Sequence, residues 1–240
     1  MTTVDDQRTA AGQSTGTITQ VFATPVARMG CPFGEQLNGA LTDLVLARLG
    51  QVDNKFDYKA ETSADMTSWG EPVVDSLTGW VLRTARQFVE TVSGRSLDQA
   101  FAAGQARDMG TFNSPAGPHS DTRPPRVAVA AGRSWASVYR RSDRHPAHFH
   151  PNTAISAIYY VHGPDACELD LIDPRANVDY FDPGVLFAGE GQNVRLRCSP
   201  GELVLFPGWL KHSVPPFDGE GVRISLSWNL VYSTMAHDAD

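Results

Sequence analysis

Between Val222 and Val231 apolar and polar residues alternate without a break, so Val222, Ile224, Leu226, Trp228 and Leu230 fall on one face of an extended chain and Arg223, Ser225, Ser227 and Asn229 on the other. Shorter segments of the same kind precede it. Trp135 to Arg141 alternates, Thr153 to Val161 is rich in β-formers, and Cys167 to Ile172 is closed by Asp173-Pro174. Asn193 to Cys198 alternates again, and Ser199-Pro200-Gly201-Glu202 reads as a turn before Leu203-Val204-Leu205-Phe206, which stops at Pro207-Gly208. Several short strands at this spacing point to a sandwich or a closed barrel.

Upstream the period changes. Glu35 to Leu49 carries Leu37, Leu41, Leu44, Val45 and Leu49 near helical spacing, with Gly50 as a stop, and Asp75 to Val92 carries a second apolar stripe that ends at Gly94. The fold class expected is therefore mainly β with flanking helices. A chain of 240 residues that is 41% hydrophobic can bury a full core as one domain. The division expected is a disordered lead-in over 1–16 and a single domain over 17–235, with helical support at 35–95, loops or a lid at 96–133 and the barrel at 134–232. The lid expectation rests on Gly104, Gly110, Pro115, Gly117, Pro118, Pro124 and Pro125, which punctuate a stretch of little periodicity. His119, Arg123 and Arg126 are its reactive-looking residues.

The net charge of −7 and the pI near 5.4 argue against nucleic-acid or anionic-membrane binding through bulk electrostatics. No apolar run approaches bilayer length, and Met1 to Gln20 lacks the basic start and apolar centre of a signal peptide, so a cytoplasmic protein with a small-molecule partner is expected. A homodimer is compatible with such a fold. Cys31, Cys167 and Cys198 are odd in number and scattered, which fits free thiols rather than a disulfide framework.

Three histidines supply the chemistry. His148 and His150 stand in His148-Phe149-His150-Pro151, and residues i and i+2 of a strand share a face, so in extended backbone both imidazoles point one way. His212 follows the Pro207-Gly208 turn. Imidazole suits iron, zinc, copper or nickel, so the ligand type alone does not choose the metal. If the polar face of Val222 to Val231 is the interior of a small barrel, Arg223 needs an anionic partner there, and its guanidinium fork with the nearby Ser225 hydroxyl matches a carboxylate.

The order of His-X-His-Pro, Tyr159-Tyr160-Val161, Asp173-Pro174-Arg175, a Gly-X-Leu-X-Leu-Phe-Pro run, a distal histidine and Arg-X-Ser resembles the iron(II)/2-oxoglutarate-dependent oxygenases of the double-stranded β-helix, or jelly-roll, fold. An early Phe22-Ala23-Thr24-Pro25 matches a bacterial group among them. The resemblance implies a dioxygenase in which His148, His150 and His212 hold Fe(II), while Arg223, assisted by Ser225, pairs with the far carboxylate of 2-oxoglutarate. Tyr139 and Tyr160 are further candidate contacts to this cosubstrate, and Arg126, Arg175 and His145 are candidate substrate contacts. O2 is the co-reactant, hydroxylation of a small or amino-acid-like substrate the expected outcome, and succinate and CO2 the by-products. One departure stands out. The superfamily's usual second ligand is Asp or Glu, whereas this chain has His150, which leaves the metal more positive; Asp143, Asp170 and Asp173 are the alternative carboxylates. A bulky His150 also disfavours halogenation. Two other readings stay open: a cupin-like three-histidine metal enzyme without 2-oxoglutarate, and a non-catalytic jelly-roll binding protein.

Overall fold

In the computed structural model, residues 3–4, 18–19, 23–49, 55–56, 58–62, 65–111, 126–163, 167–175 and 193–235 are described. Along the chain they form β1 (Thr3–Val4), β2 (Ile18–Thr19), β3 (Ala27–Gly30), α1 (Gly34–Leu49), β4 (Lys55–Phe56) and β5 (Lys59–Glu61). A 3-10 turn at Met66–Ser68, α2 (Pro72–Ser93) and α3 (Leu97–Thr111) follow. Then come β6 (Arg126–Tyr139), β7 (His145–His148), β8 (Ile155–His162) and β9 (Cys167–Ile172). The last four strands are β10 (Asn193–Cys198), β11 (Glu202–Pro207), β12 (His212–Val214) and β13 (Arg223–Met235).

Two antiparallel sheets make the barrel. The larger runs β3-β11-β8-β13-β6-β5-β4 and the smaller β10-β9-β12-β7, the arrangement of the jelly roll expected from the sequence. The two faces of β13 are used as its alternation requires. Ile224, Leu226, Trp228 and Leu230 join a core shared with Leu41 and Val45 of α1 and with Leu77 and Val81 of α2, so the helices cover the outside of the larger sheet. Trp228 also donates from its indole to the Thr78 hydroxyl at 3.3 Å. Arg223, Ser225 and Ser227 are buried on the opposite face, inside the barrel. A second core between the sheets contains Tyr139, Tyr160, Cys167, Cys198, Val204 and Phe206. The three cysteines are free thiols.

Both helices anticipated upstream form. α2 ends where Gly94 takes a left-handed conformation (φ 64°) and returns its N–H to the Glu90 carbonyl. The expectation of loops over 96–133 is corrected at both ends. Ser96 and Gln99 cap α3 reciprocally, the Ser96 hydroxyl accepting from the Gln99 N–H and the Gln99 side chain from the Ser96 N–H, each at 3.3 Å. The Asp98 carboxylate then accepts from the Val127 N–H at 2.7 Å, which ties the helix to the first turn of β6. Residues 126–133 continue β6 and pair with the end of β13. The remainder of that stretch, with His119 and Arg123, lies outside the described residues. Thr3–Val4, within the expected lead-in, pairs antiparallel with Ile18–Thr19.

Candidate metal centre and its cavity

The distal histidine reaches the proximal pair through sheet register. In the smaller sheet His212 of β12 lies opposite His148 of β7 and opposite Leu171 of β9, so the two imidazoles share a face. His150 sits two residues beyond the end of β7, not on it as the simple i, i+2 reading supposed, and its backbone N–H donates to the Gly208 carbonyl at 3.0 Å. Gly208 in turn donates to Ala154 at 3.2 Å. A Cβ on Gly208 would run into the Thr153 carbonyl and lie 2.7 Å from the Thr153 Cβ. The Pro207-Gly208 turn therefore presses directly on the loop that carries His150, which only a residue without a side chain allows.

The result is one cluster. A nitrogen from each of His148, His150 and His212 lies within 4.8 Å of the others. Each neutral imidazole has one N–H and one lone pair. His148 places Nδ1 2.8 Å from the Pro146 carbonyl and His212 places Nδ1 3.0 Å from the Leu210 carbonyl. A carbonyl can only accept, so Nδ1 carries the proton and Nε2 is left free as a ligand. Burial holds the His212 pKa down at about 3 and that of His150 at about 4, with His148 lowering both further, and it lowers His148 as well. Neutral imidazole is the form that binds metal. The donor set thus fits a divalent first-row ion, and among the described residues no carboxylate belongs to the cluster.

The acids considered as alternative ligands are engaged elsewhere. Asp170 accepts two bonds from Arg195 at 2.6 and 2.9 Å, Asp143 accepts from the Arg140 N–H, and Asp173 pairs with Arg175. Arg175, held in that turn, does not line the cavity, and Arg126 is exposed at the far end of β6 from Tyr139. His145 does line it, stacked on His148 with ring centroids 3.8 Å apart and backed by Tyr58 at 5.2 Å. Burial first, and then the charge of Lys59, hold the pKa of His145 at about 2.

The same cavity is lined further in by Arg223, Ser225 and Tyr139. The Arg223 guanidinium lies 5.1 Å from the Tyr139 ring centroid and 5.4 Å from that of Tyr160. The residue is 3% exposed, and among the described residues its guanidinium makes no ion pair and its Nε has no hydrogen-bond partner. A buried cation without an anion is costly, and an anionic ligand entering the cavity would offset that cost. Ser156 Oγ and Asn229 Oδ1, facing each other across β8 and β13 on the cavity wall, are likewise buried and unpartnered among the described residues.

One wall residue has no counterpart in the sequence reading. Lys59 of β5 is 1% exposed, lines the cavity, and pairs with Glu61 while donating to the Ser137 hydroxyl at 3.0 Å. Burial lowers its pKa, and Glu61 opposes that shift.

Residues 133–229 match a protein family described as "Putative 2OG-Fe(II) oxygenase". No curated protein matches the sequence. Among solved structures, the chain is similar to the non-heme alpha ketoglutarate dependent epimerase SnoN from nogalamycin biosynthesis, with 10% identity and a TM-score of 0.53 over 88% of this chain and 78% of that one. The carbocyclase SnoK of the same biosynthesis aligns with 12% identity and a TM-score of 0.51 over 87% and 79%. A Pseudomonas putida prolyl-4-hydroxylase aligns with 15% identity and a TM-score of 0.49 over 85% and 91%. At these identities the likeness to SnoN and SnoK is one of fold.

Proposed function

We propose that this chain, whose residues 133–229 match a family described as "Putative 2OG-Fe(II) oxygenase", uses iron(II) and 2-oxoglutarate to hydroxylate a small or amino-acid-like substrate, with 2-oxoglutarate leaving as succinate and CO2. The observation that carries this reading is the pairing of two features in one cavity. Three neutral imidazoles converge at one end, and at the other stands a buried guanidinium with no ion pair among the described residues.

Iron with 2-oxoglutarate supplies the oxidising chemistry when bound. The protein's part is binding and exclusion. His148 and His212 would hold the metal through the nitrogens left free by the Pro146 and Leu210 carbonyls, with His150 as the third ligand. Arg223 takes the far carboxylate as a fork, Ser225 adds a hydroxyl on the same strand face, and the rings of Tyr139 and Tyr160 fix the guanidinium between them. His145, packed behind His148, acts through the ligand it touches rather than as a ligand itself. Arg175 and Arg126, placed away from the cavity, are left out of the substrate site. The reading includes a cytoplasmic location; no helix among the described residues is long and apolar enough to cross a membrane.

The test is an anaerobic titration of metal-free protein with Fe(II) and then 2-oxoglutarate, following the weak visible charge-transfer band. The band should form in wild type and vanish in His150→Ala and His212→Ala. Bound iron without a band would remove 2-oxoglutarate and favour a three-histidine enzyme of the cupin kind.

A further inference from the structure

Lys59 lies outside the stretch that matches the oxygenase family, so nothing in that match bears on it. Its placement follows from sheet register. Ala60 pairs with Val138 and Glu61 with Ser137. Ala60 and Val138 belong to the core on the helix side of the larger sheet, so Lys59 and Glu61 point the other way, into the barrel. The backbone just before is fixed by the Arg144 N–H, which donates to the Tyr58 carbonyl at 2.8 Å and joins the start of β5 to the approach to β7. The Lys59 ammonium thus enters from the larger sheet the cavity that His145 and His148 line from the smaller one.

Two cations therefore serve one cavity, on either side of the Tyr139 ring. The Lys59 Nζ is 5.9 Å from its centroid and the Arg223 Cζ is 5.1 Å away. An ammonium has three N–H donors. Among the described residues Lys59 uses them on the Glu61 carboxylate and the Ser137 hydroxyl, which leaves one. Glu61 is also approached by Arg133 at 3.8 Å, so it keeps a second cation when Lys59 turns part of its charge to a ligand. Three neutral imidazoles bring no negative charge to the metal end. A ligand with an anion at each end would find a cation for each.

We propose that Lys59 is a second anchor for the cosubstrate, donating from Nζ to the keto-acid carboxylate of 2-oxoglutarate at the histidine end while Arg223 holds the far carboxylate. This rests on the oxygenase reading above. Lys59 is then a binding residue that also sets the energy of the keto acid's acceptor orbital, because a cation beside that group lowers it.

The experiment is the same anaerobic titration of the full chain with Fe(II) and 2-oxoglutarate, comparing wild type with Lys59→Met, the double variant Lys59→Met/Glu61→Gln, and Arg223→Met. The double variant removes both buried charges, and so stays readable if an unpaired Glu61 prevents the single variant from folding. The 2-oxoglutarate affinity should fall about tenfold or more in either Lys59 variant, as expected for loss of a charge-assisted hydrogen bond. The charge-transfer band should also move to shorter wavelength. Arg223→Met should weaken binding without that shift, since it acts at the other end of the ligand. A folded, iron-binding Lys59 variant with wild-type affinity and an unmoved band overturns the proposal and leaves the oxygenase reading intact. A wild type that binds iron but shows no band sinks both.

Discussion

Arg223→Met should move two properties of this protein in opposite directions. Arg223 is buried, makes no ion pair among the described residues, and lies against the rings of Tyr139 and Tyr160. Burying such a charge costs several kcal/mol even after local relaxation, whereas the two ring contacts return about 1–2 kcal/mol each. Methionine of similar length leaves the charge out and keeps the packing. The net gain expected is about 1–2 kcal/mol, or a rise in Tm of about 4 °C for a domain of this size. The iron-loaded wild type should gain about 2.7 kcal/mol more from 2-oxoglutarate at one hundred times its Kd, and the variant should gain little at the same concentration. Differential scanning calorimetry under anaerobic conditions, with and without 2-oxoglutarate, reads both effects. A variant less stable than wild type without ligand would mean that Arg223 is paired structurally, and the claim of a pre-built anion site would fall.

Two further outcomes follow from the packing. Gly208→Ala should push Thr153 and the His150 loop apart, costing about 1–3 kcal/mol of stability and weakening Fe(II) binding by about tenfold; equilibrium iron binding at wild-type strength would show that the close approach does not position His150. Burial raises the Cys198 thiol to about 11 from an ordinary value near 9, so the folded protein keeps a proton that the unfolded chain gives up. Stability is then complete below pH 9 and declines as pH rises toward 11, by about 1.4 kcal/mol per unit from this group. Thermal melts from pH 8 to 10.5 should show a shallower decline in Cys198→Ala, and identical slopes would refute the assignment.

What the sequence made legible was what is encoded locally. β9 and β10 stand at the residues expected for them, because Asp173-Pro174 and Ser199-Pro200-Gly201 bound the alternating runs. α2 is legible from its stripe and from Gly94. By contrast α3, where Leu97 is buried and Phe101 packs against the core, carries two glycines, Gly104 and Gly110, along its length, which weakens any stripe. The signal present was the Ser96-X-X-Gln99 cap, and it lay in a stretch whose prolines and glycines pointed to loops. The helix forms because tertiary ties, Asp98 to Val127 above all, stabilise what propensity alone does not.

The site divides in the same way. The interior face of β13 was readable because Arg223 and Ser225 alternate with residues that the helices cover. The convergence of His212 on His148 was expected through the family resemblance and not from local pattern, because it depends on the pairing of two short strands in the smaller sheet, β7 and β12, which no local pattern announces. Lys59 is the extreme case. Lys59-Ala60-Glu61 is three residues long and reads as solvent-facing, since lysine and glutamate are almost never fully buried unless paired. They are buried here because each neutralises the other on an interior face, and such a pair becomes visible only once β5 is seen to lie against β6. A buried pair of this kind is weak evidence for stability, since a neutral pair of similar size packs as well or better. Its presence beside three uncharged imidazoles is what the proposed anion at the histidine end, opposite the one at Arg223, would account for.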